Sequence, residues 1–248
     1  PEDWKKKRAE IAVRFDILIR NEAAPPVAVD PDLRIEETWA EDGYRVEVVS
    51  YAVEADERAD AYIAIPDSVA PAGGHPAVVC LHGTNNWGAR QTLGLLHKPG
   101  DPQAIGKGLE GKDCARRLVR QGYVTISPEH FCSATRAPEE GPYETAAFYR
   151  KHPNWSAVGK YIHDSRIALT MLGNRADVDA SRIGVTGHSL GGQGSIWLAA
   201  IDDRVRCSVP SCPASTFREN PEPLHWSRDH WYIYFPQLRA EFLAGRQV

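Results

Sequence analysis

The chain has 248 residues, 42% of them apolar and 25% charged, with a formal net charge of −4. That length supports one large domain or two small ones, with a sizeable core. The mild acidity and the lack of any long basic run argue against a nucleic-acid binder, whose phosphate contacts need clustered Lys and Arg. No window approaches the roughly 20 apolar residues of a membrane helix.

In chain order, residues 4–20 read as an amphipathic helix, with Trp4, Ile11, Phe15 and Leu18 on one stripe. The basic cluster Lys5–Arg8 reads as its solvated face, because Glu2, Asp3 and Glu10 flank it. A Pro-rich connector from Asn21 to Asp32 follows, so residues 1–32 form an N-terminal helix and linker and residues 33–248 the main domain. Segments 33–39, 44–53 and 59–65 alternate apolar and polar and predict antiparallel strands. Then the pattern changes. Residues 77–81 are continuously apolar, as in a strand buried on both faces. A long polar loop is expected over 84–106, a helix over 109–121 closed by Gly122, and a strand over 123–127. A second loop is expected over 128–155, then a helix burying Val158, Tyr161, Ile162, Leu169 and Leu172 and closed by Gly173. A strand at 183–187, a helix at 190–200 and a strand at 206–209 complete a strand–helix alternation, which means a parallel sheet with right-handed crossovers.

The five cysteines lack C-x-x-C spacing, so neither a zinc ribbon nor a disulfide framework is expected. Cys80 and Cys207 read as inert core thiols. A cytoplasmic setting is favoured over a secreted or periplasmic one. No metal and no cofactor is called for. The grouping His225, Asp229, His230 has no metal-ligand spacing logic.

The chemistry concentrates at Gly187-His188-Ser189-Leu190-Gly191-Gly192, between a predicted strand and a predicted helix. A serine on such a sharp turn needs small residues two positions before and after it, and Gly187 and Gly191 supply them. Gly192 and Gly194 are expected to let the helix approach the sheet. The helix N-terminus places partial positive charge where an oxyanion forms. Leu81-His82-Gly83-Thr84 follows the buried strand. The backbone N–H groups of Leu190 and Thr84 are assigned as oxyanion donors. His82 reads as a packed neighbour of the site and His188 as a residue packed beneath the nucleophile. Glu129 and Trp87 are candidate pocket residues, Glu129 because it follows a strand at its C-terminal end.

Residues 177–192, together with Leu81-His82-Gly83 and the Gly122–Glu129 phrase, resemble the α/β-hydrolases, closest to the dienelactone-hydrolase-like and acetylxylan-esterase-like branches. The resemblance covers residues 75–215. It implies an α/β-hydrolase fold: an eight-stranded, mostly parallel central sheet led by antiparallel N-terminal strands, with helices on both faces. It also implies Ser189 as nucleophile and cofactor-free hydrolysis of small or carbohydrate-linked esters. A prolyl-oligopeptidase-like peptidase and an inactive binding protein of the same fold are the alternatives.

The triad order in this fold is Ser, acid, His. After Ser189 the sequence shows one helix, one strand and then a Pro-rich stretch without further parallel strands, so the C-terminal strands read as missing. His225 or His230, oriented by Glu219, Glu222 or Asp229, could act only if that stretch folds over the serine. The simpler expectation places the acid and the histidine beyond Val248, in roughly 80–120 further residues. The expected partners are a small-molecule ester, no nucleic acid and no membrane. A second chain or C-terminal segment completing the domain, or a homodimer, is also expected.

Overall fold

The computed structural model describes residues 2–95 and 111–213, together with Ile233, Phe235, Ala244 and Gly245. Two hairpins begin the sheet. β1 (Arg34–Glu41) pairs with β2 (Tyr44–Glu54), and the Glu41–Tyr44 pair encloses Asp42-Gly43. Gly43 has φ 86°, the left-handed geometry that a two-residue hairpin turn demands. β2 turns through Ala55-Asp56 into β3 (Glu57–Pro66), with Glu54 opposite Glu57.

β4 (His75–Leu81), β5 (Val124–Pro128), β6 (Val178–His188) and β7 (Val205–Ser211) complete a seven-stranded sheet of order β1-β2-β3-β5-β4-β6-β7. β3 meets β5 antiparallel, and the β4–β5, β4–β6 and β6–β7 ladders are parallel. The continuous apolar run of β4 is buried on both faces, as its composition requires. α2 (Arg90–Leu93) and α3 (Cys114–Val119) cover one face, where Leu93, Ala115 and Val119 pack on Val78 and Cys80. α5 (Ala157–Gly173) and α6 (Leu190–Ile201) cover the other with Val79, Ile126 and Val185. This is the mixed, mostly parallel architecture that the sequence predicted.

The strand order sets the site. From β4 the chain crosses to β5 on one side, whereas from β6 it continues to β7 on the other. The loops leaving β4 and β6 therefore diverge and leave a crevice at the C-terminal ends of these two strands.

α5 begins at Ser156, whose Oγ accepts from Gly159 N at 2.9 Å and donates to Ile19 O at 2.6 Å. The same helix buries two charges. Lys160 Nζ lies 2.7 Å from Glu54, 3.1 Å from Glu57 and 3.1 Å from Asp164. Asp164 also pairs with Arg136 at 2.8 Å. Burial opposes ionisation of Glu54, but the Lys160 ammonium outweighs it and brings the carboxyl down to about 2. Burial likewise opposes ionisation of Asp164, and Lys160 and Arg136 hold it far below the usual carboxylate range.

Several sequence expectations are corrected. α1 (Glu2–Leu18) forms, but its stripe is not buried: Trp4 is 61% and Ile11 46% exposed. Of its apolar stripe, Phe15 and Leu18 at the last turn pack on the core, and Arg8 reaches Asp203 at 2.8 Å. The loop after β4 contains α2, closed by Gly94 at φ 68°. The loop after β5 contains α4 (Ala146–Lys151). The third helix is shorter than expected, starting at Cys114 after Asp113, whose carboxylate takes Arg116 and Arg117 at 2.9 Å each. Cys80 is buried, whereas Cys207 is exposed on β7, the edge strand of the sheet. The expected absence of later strands concerns residues outside those described.

Candidate active site

β6 ends in Gly187-His188 and α6 begins at Leu190, so Ser189 alone makes the turn, with φ 55° and ψ −115°. A side chain at positive φ costs about 1–3 kcal/mol and persists only when its surroundings over-determine it. The surroundings do so here. A Cβ on Gly187 would lie 2.5 Å from Gly191 O, and one on Gly191 would lie 2.0 Å from Leu81 O. No side chain larger than hydrogen fits at either position. Ser189 N donates to Ser211 O at 2.9 Å, and Gln193 N returns to Ser189 O at 2.9 Å.

The other glycines act differently from one another. A Cβ on Gly192 would meet Ser211 O at 2.5 Å, which is a helix-to-sheet approach. Gly194 instead makes room for the Tyr161 ring of α5, 2.3 Å from where its Cβ would sit. His188 reaches sideways to Ser211 Oγ at 3.1 Å.

The β4 loop closes the crevice. A Cβ on Gly83 would lie 3.0 Å from His188 O and 3.7 Å from Ser189 Cβ, so the two loops are in contact. Thr84, the next residue, is exposed at the mouth. Leu190 is buried, and among the described residues its N–H has no acceptor, as expected of the first amide of a helix. The turn thus brings Ser189, Leu190, Gly83 and Thr84 to one end of the sheet.

Beneath them lies a buried polar layer. His82 Nε2 is 3.0 Å from Glu129 Oε1, and its Nδ1 is 2.8 Å from Gly83 O. Its ring stacks on His130 at 3.6 Å between centroids, and His130 Nε2 is 2.8 Å from His82 O. With both nitrogens engaged inside the protein, His82 packs beside the site. Burial, with His82 beside it, pushes the His130 imidazole well below its ordinary range. Glu129 Oε1 accepts from Ser133 Oγ at 2.8 Å and Oε2 from Ala89 N at 3.0 Å. Burial opposes ionisation of Glu129, and His82 with these donors outweighs it and lowers the carboxyl. Glu129 is thus an anchor of the β4 loop, with no hydrogen bond to the serine turn.

Trp87 is 44% exposed on that loop, and its N–H is held by Asn85 Oδ1 at 2.6 Å. Tyr143, Ser133 and Ser211 also support the site, and nothing in their local sequence marks them. Among the described residues no imidazole hydrogen-bonds Ser189 Oγ. His225, Asp229, His230, Glu219 and Glu222 lie outside the described residues. A separate cavity of about 590 Å³ lies between α3 and strands β4, β6 and β7, against Val78, Leu118, Ile183 and Val209, and none of the site residues lines it. Among the described residues no cluster could hold a metal ion, and no helix is long and apolar enough to cross a membrane.

A mixed sheet with this strand order, carrying a serine on a strained strand-to-helix turn against a glycine loop from the neighbouring strand, has the α/β-hydrolase fold. The dienelactone hydrolase family matches residues 102–226, half of the chain, and the chain belongs to that family. It is 28% identical over 227 residues to the protein YtaP of Bacillus subtilis (strain 168), covering 89% of this chain and 69% of that one. Among solved structures it resembles acetyl xylan esterase 1 from Thermoanaerobacterium sp. JW/SL YS485, with TM-score 0.60 and 18% identity over 92% of this chain and 66% of that one. It also resembles a glucuronoyl esterase from Solibacter usitatus, with TM-score 0.59 and 18% identity over 99% of this chain and 74% of that one. At these identities the likeness is one of fold. The chain spans about half the length of other solved structures it matches, 52% and 50%.

Proposed function

We propose that the protein is a serine esterase acting on small or carbohydrate-linked carboxylic esters. The carrying observation is the strained backbone of Ser189 between two glycines that admit no side chain, beside the Gly83–Thr84 loop. In this reading Ser189 Oγ attacks the ester carbonyl carbon as its proton passes to an imidazole outside the described residues. Leu190 N–H, at the start of α6, and Thr84 N–H receive the charge that develops on the carbonyl oxygen. Collapse expels the alcohol and leaves an acyl-serine, which water hydrolyses to the acid and free Ser189. The substrate class follows the acetyl xylan and glucuronoyl esterases that share the fold. Trp87, exposed beside the crevice, offers a flat apolar surface for a sugar ring or an aryl group.

Ser189→Ala tests this reading. It is expected to abolish hydrolysis of a short-chain aryl ester and labelling by a fluorophosphonate, with the melting temperature retained. Unchanged turnover in the variant refutes the reading. Cleavage of a prolyl peptide in preference to the ester would favour the peptidase alternative.

A further inference from the structure

The β4 loop that carries Thr84 is held from two sides. Glu129 holds its far end at Ala89. The near end is held by a residue 58 positions away: Asn85 N donates to Tyr143 Oη at 2.9 Å, and Tyr143 Oη donates to Asn85 O at 3.0 Å. One hydroxyl therefore clamps both polar groups of the residue that follows Thr84. The Asn85 side chain completes the bracket, with Nδ2 donating to Gly83 O at 2.7 Å and Oδ1 accepting from Trp87 N at 2.6 Å.

Tyr143 is itself firmly placed. It is 3% exposed, and its N–H donates to Cys132 O at 2.6 Å. Its segment holds three side chains at positive φ: Cys132 at 58°, Ala134 at 40° and Tyr143 at 66°. Such strained backbone gathers where a structure must hold a set geometry.

We propose that Tyr143 is a positioning residue of the oxyanion loop: its hydroxyl, gripping the Asn85 N–H and C=O, fixes the backbone that aims Thr84 N–H at the reacting carbonyl oxygen. This rests on the assignment of Ser189 and Thr84 made above. Tyr143 touches no reacting atom. Its contribution appears where the oxyanion is bound more tightly than the ground-state carbonyl.

The test is Tyr143→Phe in the intact protein, which keeps the ring and removes only the hydroxyl. Loosening one oxyanion donor costs less than deleting it, so kcat for a short-chain aryl ester should fall about tenfold. KM should stay within twofold. Affinity for an aryl boronic acid, whose tetrahedral adduct places an oxygen in the hole, should fall by the same factor as kcat. The Asn85 amide should exchange hydrogen faster. Turnover and boronic acid affinity within twofold of wild type overturn the proposal. So does a parallel loss of kcat, KM and melting temperature, the mark of general destabilisation. A wild-type protein that takes no fluorophosphonate label and hydrolyses no ester overturns the nucleophile assignment itself, and this inference with it.

Discussion

Lys160 offers the most direct test of how the domain is held together. Its ammonium, 1% exposed, faces Glu54, Glu57 and Asp164 within 3.1 Å. Lys160→Met keeps the aliphatic stem and leaves three carboxylates without their shared cation. Arg136 still serves Asp164 and Glu57, and Lys151 still reaches Glu54 at 3.2 Å, so the loss is partial. Removing one partner from a buried ionic group costs about 3–5 kcal/mol. At about 2–4 °C per kcal/mol for a domain of this size, that is a fall of about 6–20 °C in melting temperature. Urea unfolding at pH 7 reads the same quantity as a shift in midpoint at constant slope. The pH dependence has a defined sign. Glu54 and Asp164 have depressed carboxyl values in the folded state, so their stabilisation is present above about pH 4 and is lost as pH falls toward about 2. In Lys160→Met these carboxyls titrate nearer their ordinary range, so protonation relieves the variant and the gap to wild type narrows between about pH 6 and 4. A loss below about 1 kcal/mol at pH 7, or a gap independent of pH, would refute the reasoning.

Two further outcomes follow from named contacts. Gly191→Ala puts a methyl 2.0 Å from Leu81 O, a backbone atom that cannot yield; it should destabilise by more than about 4 kcal/mol and abolish fluorophosphonate labelling, and normal labelling would contradict the packing at the turn. Ser156→Ala removes the oxygen that accepts from Gly159 N and the hydroxyl that donates to Ile19 O; a loss of about 1–2 kcal/mol in urea unfolding is expected, with esterase kinetics unchanged.

The sheet was legible because its strands announce themselves locally. The run from Ala77 to Leu81 has no polar residue, and a strand buried on both faces is the only extended element that tolerates this. The turn at Ser189 was legible because steric exclusion leaves a glycine at both flanks. What stayed hidden depends on distant partners. Lys160 falls between Val158 and Tyr161 on an apolar helix, and a lysine there reads as a solvated residue. Its burial is created by Glu54 and Glu57, a hairpin far earlier in the chain. His82 and Glu129 are 47 positions apart, and neither carries a signal of the other. Tyr143 sits in a polar stretch with no periodicity, so only the fold reveals that it grips Asn85. The α1 stripe misled for the converse reason. Its helical spacing is real, but periodicity cannot say whether anything packs against it.

Glu129 receives Ala89 N from the loop after β4, Ser133 Oγ from the loop after β5, and the His82 ring from the end of β4 itself. A Cβ on Gly88 would lie 2.1 Å from the same carboxylate, so the loop backbone presses directly against it. Mechanically, this one acid removes the independent freedom of the two loops and makes the floor of the crevice a single rigid unit. Trp87, by contrast, is attached to this unit through its backbone N–H, held by Asn85 Oδ1, while its side chain is exposed. A change at Glu129 would release both loops at once.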